Sequence, residues 1–414
     1  MRTRSVFLAA AVILAVGVGV AAGEPPTQAQ SMAELTARLK DLQERVDAME
    51  RSSNRQELTE LADELRTKAK EISFPGWMEN LKLYADLRLR YNFDCFNTDA
   101  HERNRARFRL RFGATKTWLD KQIEAGFRFA SGSSEDPTST NQTMTDGFGE
   151  KDLWIDLAYA KIAPKEIPGF MAVGGKMKNP FVCTNMLWDS DVNPEGVWFR
   201  YDMDGIEGVK PFAGVGFFVL EYNKNAGDAT MHAYQVGATI EALEGIKWTP
   251  ALAYYDYGNY ERPGNFNGRD GNNSESGGRL TAEEFNIVNL VNKVGFEAFG
   301  LPMSAYVDYA HNCQSEVSDT DDALAVGITV GKNKKAGDWS AKYKYAYIEA
   351  NAVAGAFSDS DFGQANRKGH QWGAAYNITD FLTFGLNLFY TQPVSGSDVG
   401  DTKFSLLADL IWKI

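Results

Sequence analysis

Cysteine is nearly absent from this chain of 414 residues. Cys95, Cys183 and Cys313 are the three present, an odd number and too few to staple a disulfide scaffold. No Cys-x-x-Cys and no Cys-x-x-Cys-His occurs, which excludes a thioredoxin-like redox motif and covalent haem attachment. The four histidines, His101, His232, His311 and His370, show no ligand spacing and read as wall or rim residues, so neither a metal centre nor a cofactor is expected. Positive charge is in deficit: 43 Lys and Arg against 55 Asp and Glu give a net charge of -12, which argues against a nucleic-acid partner. Long apolar runs are missing except for 6–23, so a polytopic helical membrane protein, which needs several runs of about 18 residues, is excluded. Proline is low at 13. Glycine (38) and aromatic residues (12%) are plentiful, and 44% of the chain is hydrophobic although the mean hydropathy is -0.35. That mixture suits an all-β protein.

The N-terminus reads as a signal peptide over 1–23. Arg2 and Arg4 form its positive region, 6–20 its apolar core, and Ala21-Ala22-Gly23 its small-residue cleavage site. No Cys follows that site, which argues against a lipid anchor. Cleavage would leave a mature charge of about -14. A periplasmic coiled-coil segment is expected over 32–72. Leu35, Leu39, Leu42, Val46 and Met49 follow an a/d spacing, Ser52-Ser53-Asn54 interrupt it, and Leu58, Leu61 and Leu65 resume it. So short a seam is marginal alone and would act as an oligomer tied to something larger.

From Trp77 the period changes to two, and 77–414 is expected to be a transmembrane β-barrel. Leu81, Leu83, Ala85, Leu87, Leu89, Tyr91 and Phe93 share one face, opposite Lys82, Tyr84, Asp86, Arg88, Arg90 and Asn92. The chain's last segment alternates likewise, with Phe404, Leu406, Ala408, Leu410, Trp412 and Ile414 on one face. Sixteen strands are predicted: 80–93, 102–118, 121–131, 151–162, 169–178, 196–203, 209–223, 230–243, 246–258, 282–294, 302–311, 322–332, 338–349, 368–377, 380–392 and 402–414. Most are longer than soluble strands and match the roughly 9 to 11 residues of a transmembrane one. With the N-terminus periplasmic, short turns alternate with longer outer loops; the exception is 224–228, no longer than the turns. In lipid such a sheet must close, because an open edge leaves unpaired backbone groups in hydrocarbon. Sixteen strands enclose an aqueous lumen, and the polar inner wall accounts for the negative hydropathy.

The charged residues that matter sit on the second strand. Arg103, Arg105, Arg107, Arg109 and Arg111 alternate with Ala106, Phe108, Leu110 and Phe112. An arginine on the lipid face near the midplane costs about 2 to 4 kcal/mol, so five together must face the lumen. Arg88, Arg90 and Arg128 also lie opposite the apolar faces of their strands. Two readings stand side by side: a pore-lining basic ladder that attracts anions, and arginines that pair with acidic residues of an inward-folded loop. The acidic tracts 270–274, 315–322 and 358–361 fall in outer loops. Solvated charge is favoured there over Ca²⁺ binding or cation bridging to lipopolysaccharide.

Five stretches also carry a family likeness: Asp86-Leu87-Arg88-Leu89-Arg90, the 103–111 run, Ser139-Thr140-Asn141-Gln142-Thr143, 174–180 and 188–196. With them the chain resembles the putative porin family of Gram-negative outer membranes, from the signal to the C-terminus. The resemblance implies passive diffusion of small hydrophilic solutes, an outer-membrane location amid lipid and lipopolysaccharide, and a homotrimer. It also implies an inward-folded third loop at the constriction; here 178–195 carries Asp189, Asp191 and Glu195, beside Lys176 and Lys178. Such barrels commonly end in an aromatic residue, whereas this chain ends in Ile414. Two other functions stay open, a solute-specific oxyanion channel and a structural link to peptidoglycan through the coiled coil. An enzyme is not expected, since no Ser-His or Asp-His constellation is recognisable.

Overall fold

The alternating segments form one antiparallel sheet that closes on itself. A computed structural model describes residues 78–98, 102–204, 207–224, 227–260, 271–273, 275–276, 279–280, 285–314 and 320–413. The signal segment, the 32–72 coiled coil, His101 and Ile414 lie outside these residues. The barrel belongs to a compact unit, Asn80–Ile414.

Its sixteen staves are β1 (Leu81–Phe96), β2 (Arg103–Trp118), β3 (Ile123–Ala130), β4 (Trp154–Ile162), β5 (Phe170–Lys176), β6 (Glu195–Asp202), β7 (Val209–Glu221) and β8 (Ala229–Leu243). The round continues with β9 (Ile246–Gly258), β10 (Phe285–Ala298), β11 (Leu301–Asn312), β12 (Asp322–Gly331), β13 (Trp339–Ile348), β14 (Arg367–Asn377), β15 (Leu382–Pro393) and β16 (Lys403–Lys413). Each pairs with its chain neighbour, and β1 pairs with β16 from Asp86↔Lys413 to Phe96↔Lys403, which removes the open edge. Among the described residues no helix is long and apolar enough to cross a membrane; the strands do the crossing.

The positions expected from the sequence hold, with local shifts. β1 runs on to Phe96 and takes Cys95 out of the first loop into the strand. β10 is described from Phe285 and runs on to Ala298, past the expected 294. β3 ends at Ala130, and the wall beside the upper part of β2 is continued by Gln142–Thr143, with Arg107 opposite Thr143. A bulge between Arg128 and Phe129 leaves Asp156 as the extra residue of β4 and turns its side chain inward beside Leu157. All three cysteines are free thiols.

Burial separates the two faces of each strand. On β6, Val197, Phe199 and Tyr201 are exposed on the outside, while Trp198 between them is 1% exposed. Outside, apolar side chains meet hydrocarbon; inside, they need partners from elsewhere. Two loops supply them by folding into the lumen, 177–194 and 349–366. Phe181, Met186, Leu187 and Trp188 of the first pack with Val353, Phe357 and Phe362 of the second against Trp198, Phe218, Met231, Tyr255, Phe285 and Ile287 of the wall. Close approach is possible because β7 presents glycine there. A Cβ on Gly214 or Gly216 would come within 2.0 or 2.7 Å of the Trp198 ring. Phe181 stands edge-on to Trp198 (5.2 Å) and Tyr255 (5.1 Å), and Trp188 stacks on Phe357 (5.5 Å).

Candidate functional site

Opposite this apolar filling, the inner wall from β16 through β3 is charged. Antiparallel register sets arginine against arginine: Arg88 faces Arg109, and Arg90 faces Arg107. Like charges directly opposite are destabilising, so the wall interleaves acids. Asp86 accepts from Arg109 Nη2 (2.6 Å) and from Arg111 Nε (2.7 Å). Asp409, from the last strand, grips Arg90 with two parallel bonds of 2.7 and 2.9 Å, both groups buried. Arg128 pairs with Asp156, and Asp94 takes Arg105 (3.4 Å) and Lys403 (3.7 Å).

The inward loops add carboxylates of their own. Asp191 reaches Arg111 (3.4 Å), Asp359 holds Lys344 (2.7 Å), and Asp361 meets Arg90 Nη1 (3.0 Å). The positive charges of Arg90, Arg88 and Arg107 outweigh burial and hold the Asp361 carboxyl below the usual carboxylate range. Asp189 is different. Burial, with the Asp359 carboxylate next to it, pushes its carboxyl well above that range, although the backbone N–H of Asp191 donates to it at 2.9 Å. Ser360 N also donates to Asp189 (3.3 Å), and Asp189 N donates to Phe357 O (2.7 Å), so this residue joins the two loops.

Among the facing arginines of β1 and β2, Arg88 and Arg107 make no ion pair with a carboxylate of the described residues. Arg88 donates to Asn141 Oδ1 (2.5 Å), and Arg107 donates to Asn141 O (3.2 Å) and Ser139 Oγ (3.5 Å). Both Nε atoms are buried without a hydrogen-bond partner. The Ser139–Thr143 stretch therefore caps the basic wall with neutral groups.

Of the arginines singled out from sequence, Arg88, Arg90, Arg105, Arg107, Arg109, Arg111 and Arg128 come together on the interior of three adjacent strands, and Arg103 sits exposed at the end of β2. The third-loop set is divided. Asp189 and Asp191 enter the lumen, but Lys176 and Glu195 pair with each other at 2.7 Å on the outward face of β5 and β6, and Lys178 is exposed. The correction follows from parity, since Glu195 shares its face with exposed Val197 and Phe199 while Trp198 points in. The 358–361 tract is not solvated loop charge: it folds inward, where Asp359 and Asp361 meet Lys344 and Arg90. Sequence reasoning missed Asp86 and Asp409, although both lie on the polar face of an alternating strand, and Asp94, which falls past the predicted first strand but sits near the end of β1. His311, one of the histidines that show no ligand spacing in the sequence, comes with Asp321 and Asp322 to a group whose ligand atoms lie within 4.8 Å of one another at the end of β11. There Asp322 already accepts from Tyr309 (2.6 Å) and contacts His311 (3.0 Å).

A closed sixteen-stranded barrel with inward loops and a charged wall invites comparison with known channels. The family model described as Putative porin matches residues 97–276 and 279–406. The chain belongs to this porin family. No curated protein matches the sequence of this porin. Among solved structures, OprB of Pseudomonas putida at high pH has the same fold at 13% identity, covering 84% of this chain and 96% of that one, with a TM-score of 0.55. OmpF of Salmonella typhi in complex with daunomycin (12% identity, 81% and 97% covered, TM-score 0.49) and a loop-deletion mutant of OmpT from Vibrio cholerae (12%, 80% and 100%, 0.45) are also similar. The protein is an outer-membrane porin, and its family and fold are those of a channel.

Proposed function

We propose that this porin passes small hydrophilic solutes by diffusion along the charged wall and prefers anions. The observation that carries the preference is the pair Arg88, buried, and Arg107, half-buried, which the wall leaves without a carboxylate. A lumen of low polarisability with fixed positive charge raises the local concentration of anions. Arg88, Arg90, Arg105, Arg107, Arg109, Arg111 and Arg128 form the pore-lining ladder, with Arg103 at its mouth, and Asp189 and Asp191 belong to the constriction loop. Reversal potentials in a planar bilayer test the reading: replacing Arg105 and Arg107 together by Ala should lower the chloride-to-potassium permeability ratio severalfold. An unchanged ratio overturns it.

The finer assembly belongs to the same reading. Residues 1–23 direct export, 32–72 form a periplasmic coiled coil in reach of peptidoglycan, and three copies associate in the outer membrane amid lipid and lipopolysaccharide. Small outward side chains on β4 and β5, Ala158, Ala160, Ala172 and Gly174, offer a flat surface for a second copy. Loss of the trimer on deleting 32–72, followed by chemical cross-linking, would support the coiled coil's part.

A further inference from the structure

Asp361 is held unlike the other carboxylates of the basic wall. Asp409 locks the Nε–Nη2 edge of Arg90 with two short bonds and is buried with it. Asp361 takes only the remaining Nη1, at 3.0 and 3.3 Å, and 38% of its side chain stays open. It comes from a loop, 349–366, and not from the wall. Around it the cations outnumber it. Arg88 and Arg107, both with an unpartnered Nε, act on it electrostatically. Lys342, inward on β13 and open to the lumen, lies in its field as well.

A guanidinium kept from bulk water without an anion costs free energy. A wall that keeps two such groups while a loop lends one carboxylate has room for a second negative group. Resting on the anion-preferring reading above, we propose that Arg88, Arg90, Arg107 and Lys342 form a binding site for a small oxyanion, a carboxylate or phosphate group, and that Asp361 occupies it as a tethered competitor. Guanidinium groups suit such ligands because their planar N–H pairs match two oxygens at once. An entering oxyanion takes Nη1 of Arg90 and the free Nε donors, and the Asp361 side chain turns away from Arg90.

The test compares the purified full-length wild type with Asp361→Asn and Arg88→Gln in planar bilayers, in potassium chloride titrated with inorganic phosphate or, in a second arm, acetate. Expected is a saturable block of chloride current in the wild type. The half-blocking concentration should fall about tenfold in Asp361→Asn and rise by a similar factor in Arg88→Gln. The stronger arm identifies which oxyanion the site prefers. Asp361→Asn channels that open normally and show the wild-type half-blocking concentration overturn the inference, as does a shift equal for chloride and phosphate, which marks a diffuse charge effect. Should that variant not insert, Arg107→Gln must still raise the half-blocking concentration, and an unchanged value overturns the proposal. Anion preference retained with no phosphate block sinks this inference alone; block retained without anion preference sinks only the selectivity reading.

Discussion

The two sides of the lumen hold their loops by opposite means. Against β6 to β10 the loops are packed as a protein interior is packed, with Trp188 at 3% exposure touching Phe181, Tyr255 and Phe357. Against β16 to β3 the loops are held by ion pairs, Asp361 with Arg90 at 3.0 Å and Asp191 with Arg111 at 3.4 Å, and the Asp361 carboxylate is still reached by solvent. Apolar burial is nondirectional and contributes about 25 cal/mol per Å², so the first side supplies stability. Ion pairs gain little net stability in a wet lumen but fix where charge sits. The same two loops therefore anchor on one side and present carboxylates to the other.

The largest expected effect falls on the packed side. Trp188→Ala removes ring contacts from both loops and should destabilise the folded barrel by about 3–5 kcal/mol, read as a lower urea midpoint in detergent, with little change in ion selectivity. A selectivity change as large as that of the arginine variants would break the division between the two sides.

Next comes the clamp beneath the third loop. Asp308 of β11 is fully buried, accepts from Thr184 of the loop, and accepts from Asn289 Nδ2 at 2.5 Å. Gln235 adds a two-way bond to the backbone of Val182, at 2.9 Å in each direction, and Lys293 donates to Cys183 O at 2.5 Å. Asp308→Asn should cost about 1.5–3 kcal/mol and appear as increased open-channel current noise at unchanged selectivity.

The smallest effect is a pH dependence of opposite sign on the two sides. Asp189 has its folded-state pKa raised, so its contribution is fully present below the ordinary carboxylate pKa and is lost as pH rises through the raised value. Asp361 has its pKa lowered, so its contribution is present above the ordinary value and is lost as pH falls through the lowered one. Mild acidification from neutral pH should therefore tighten the junction of the two loops before strong acid releases Asp361 from Arg90. Protease protection of the 349–366 loop across pH follows both; Asp189→Asn should abolish the first step and leave the second. Beside that junction, burial pushes the Cys183 thiol up to about 12.

Much of the barrel was legible in the amino-acid order because a strand's side chains alternate with a period of two. Arg105 next to Ala106 next to Arg107 permits one assignment of faces, and a sheet crossing lipid must close. The strand number, the order of pairing and the interior position of the arginines follow from such local patterns. Loops have no period. In 177–194 the acidic residues Asp189 and Asp191 drew attention, while Phe181, Met186, Leu187 and Trp188, too apolar for a solvated loop, were the better sign that the segment folds inward.

What the sequence by itself determined is the wall: sixteen alternating segments whose period of two separates an inward from an outward face, broken locally where a bulge turns Asp156 inward. What only the tertiary structure decided is what the wall encloses. Loop 349–366 shares the lumen with loop 177–194, Asp361 meets Arg90 across 271 residues of chain, and Arg88 and Arg107 are left without an acid. These pairings depend on distances around a closed circumference, which no local pattern encodes, and they settle where charge remains uncompensated.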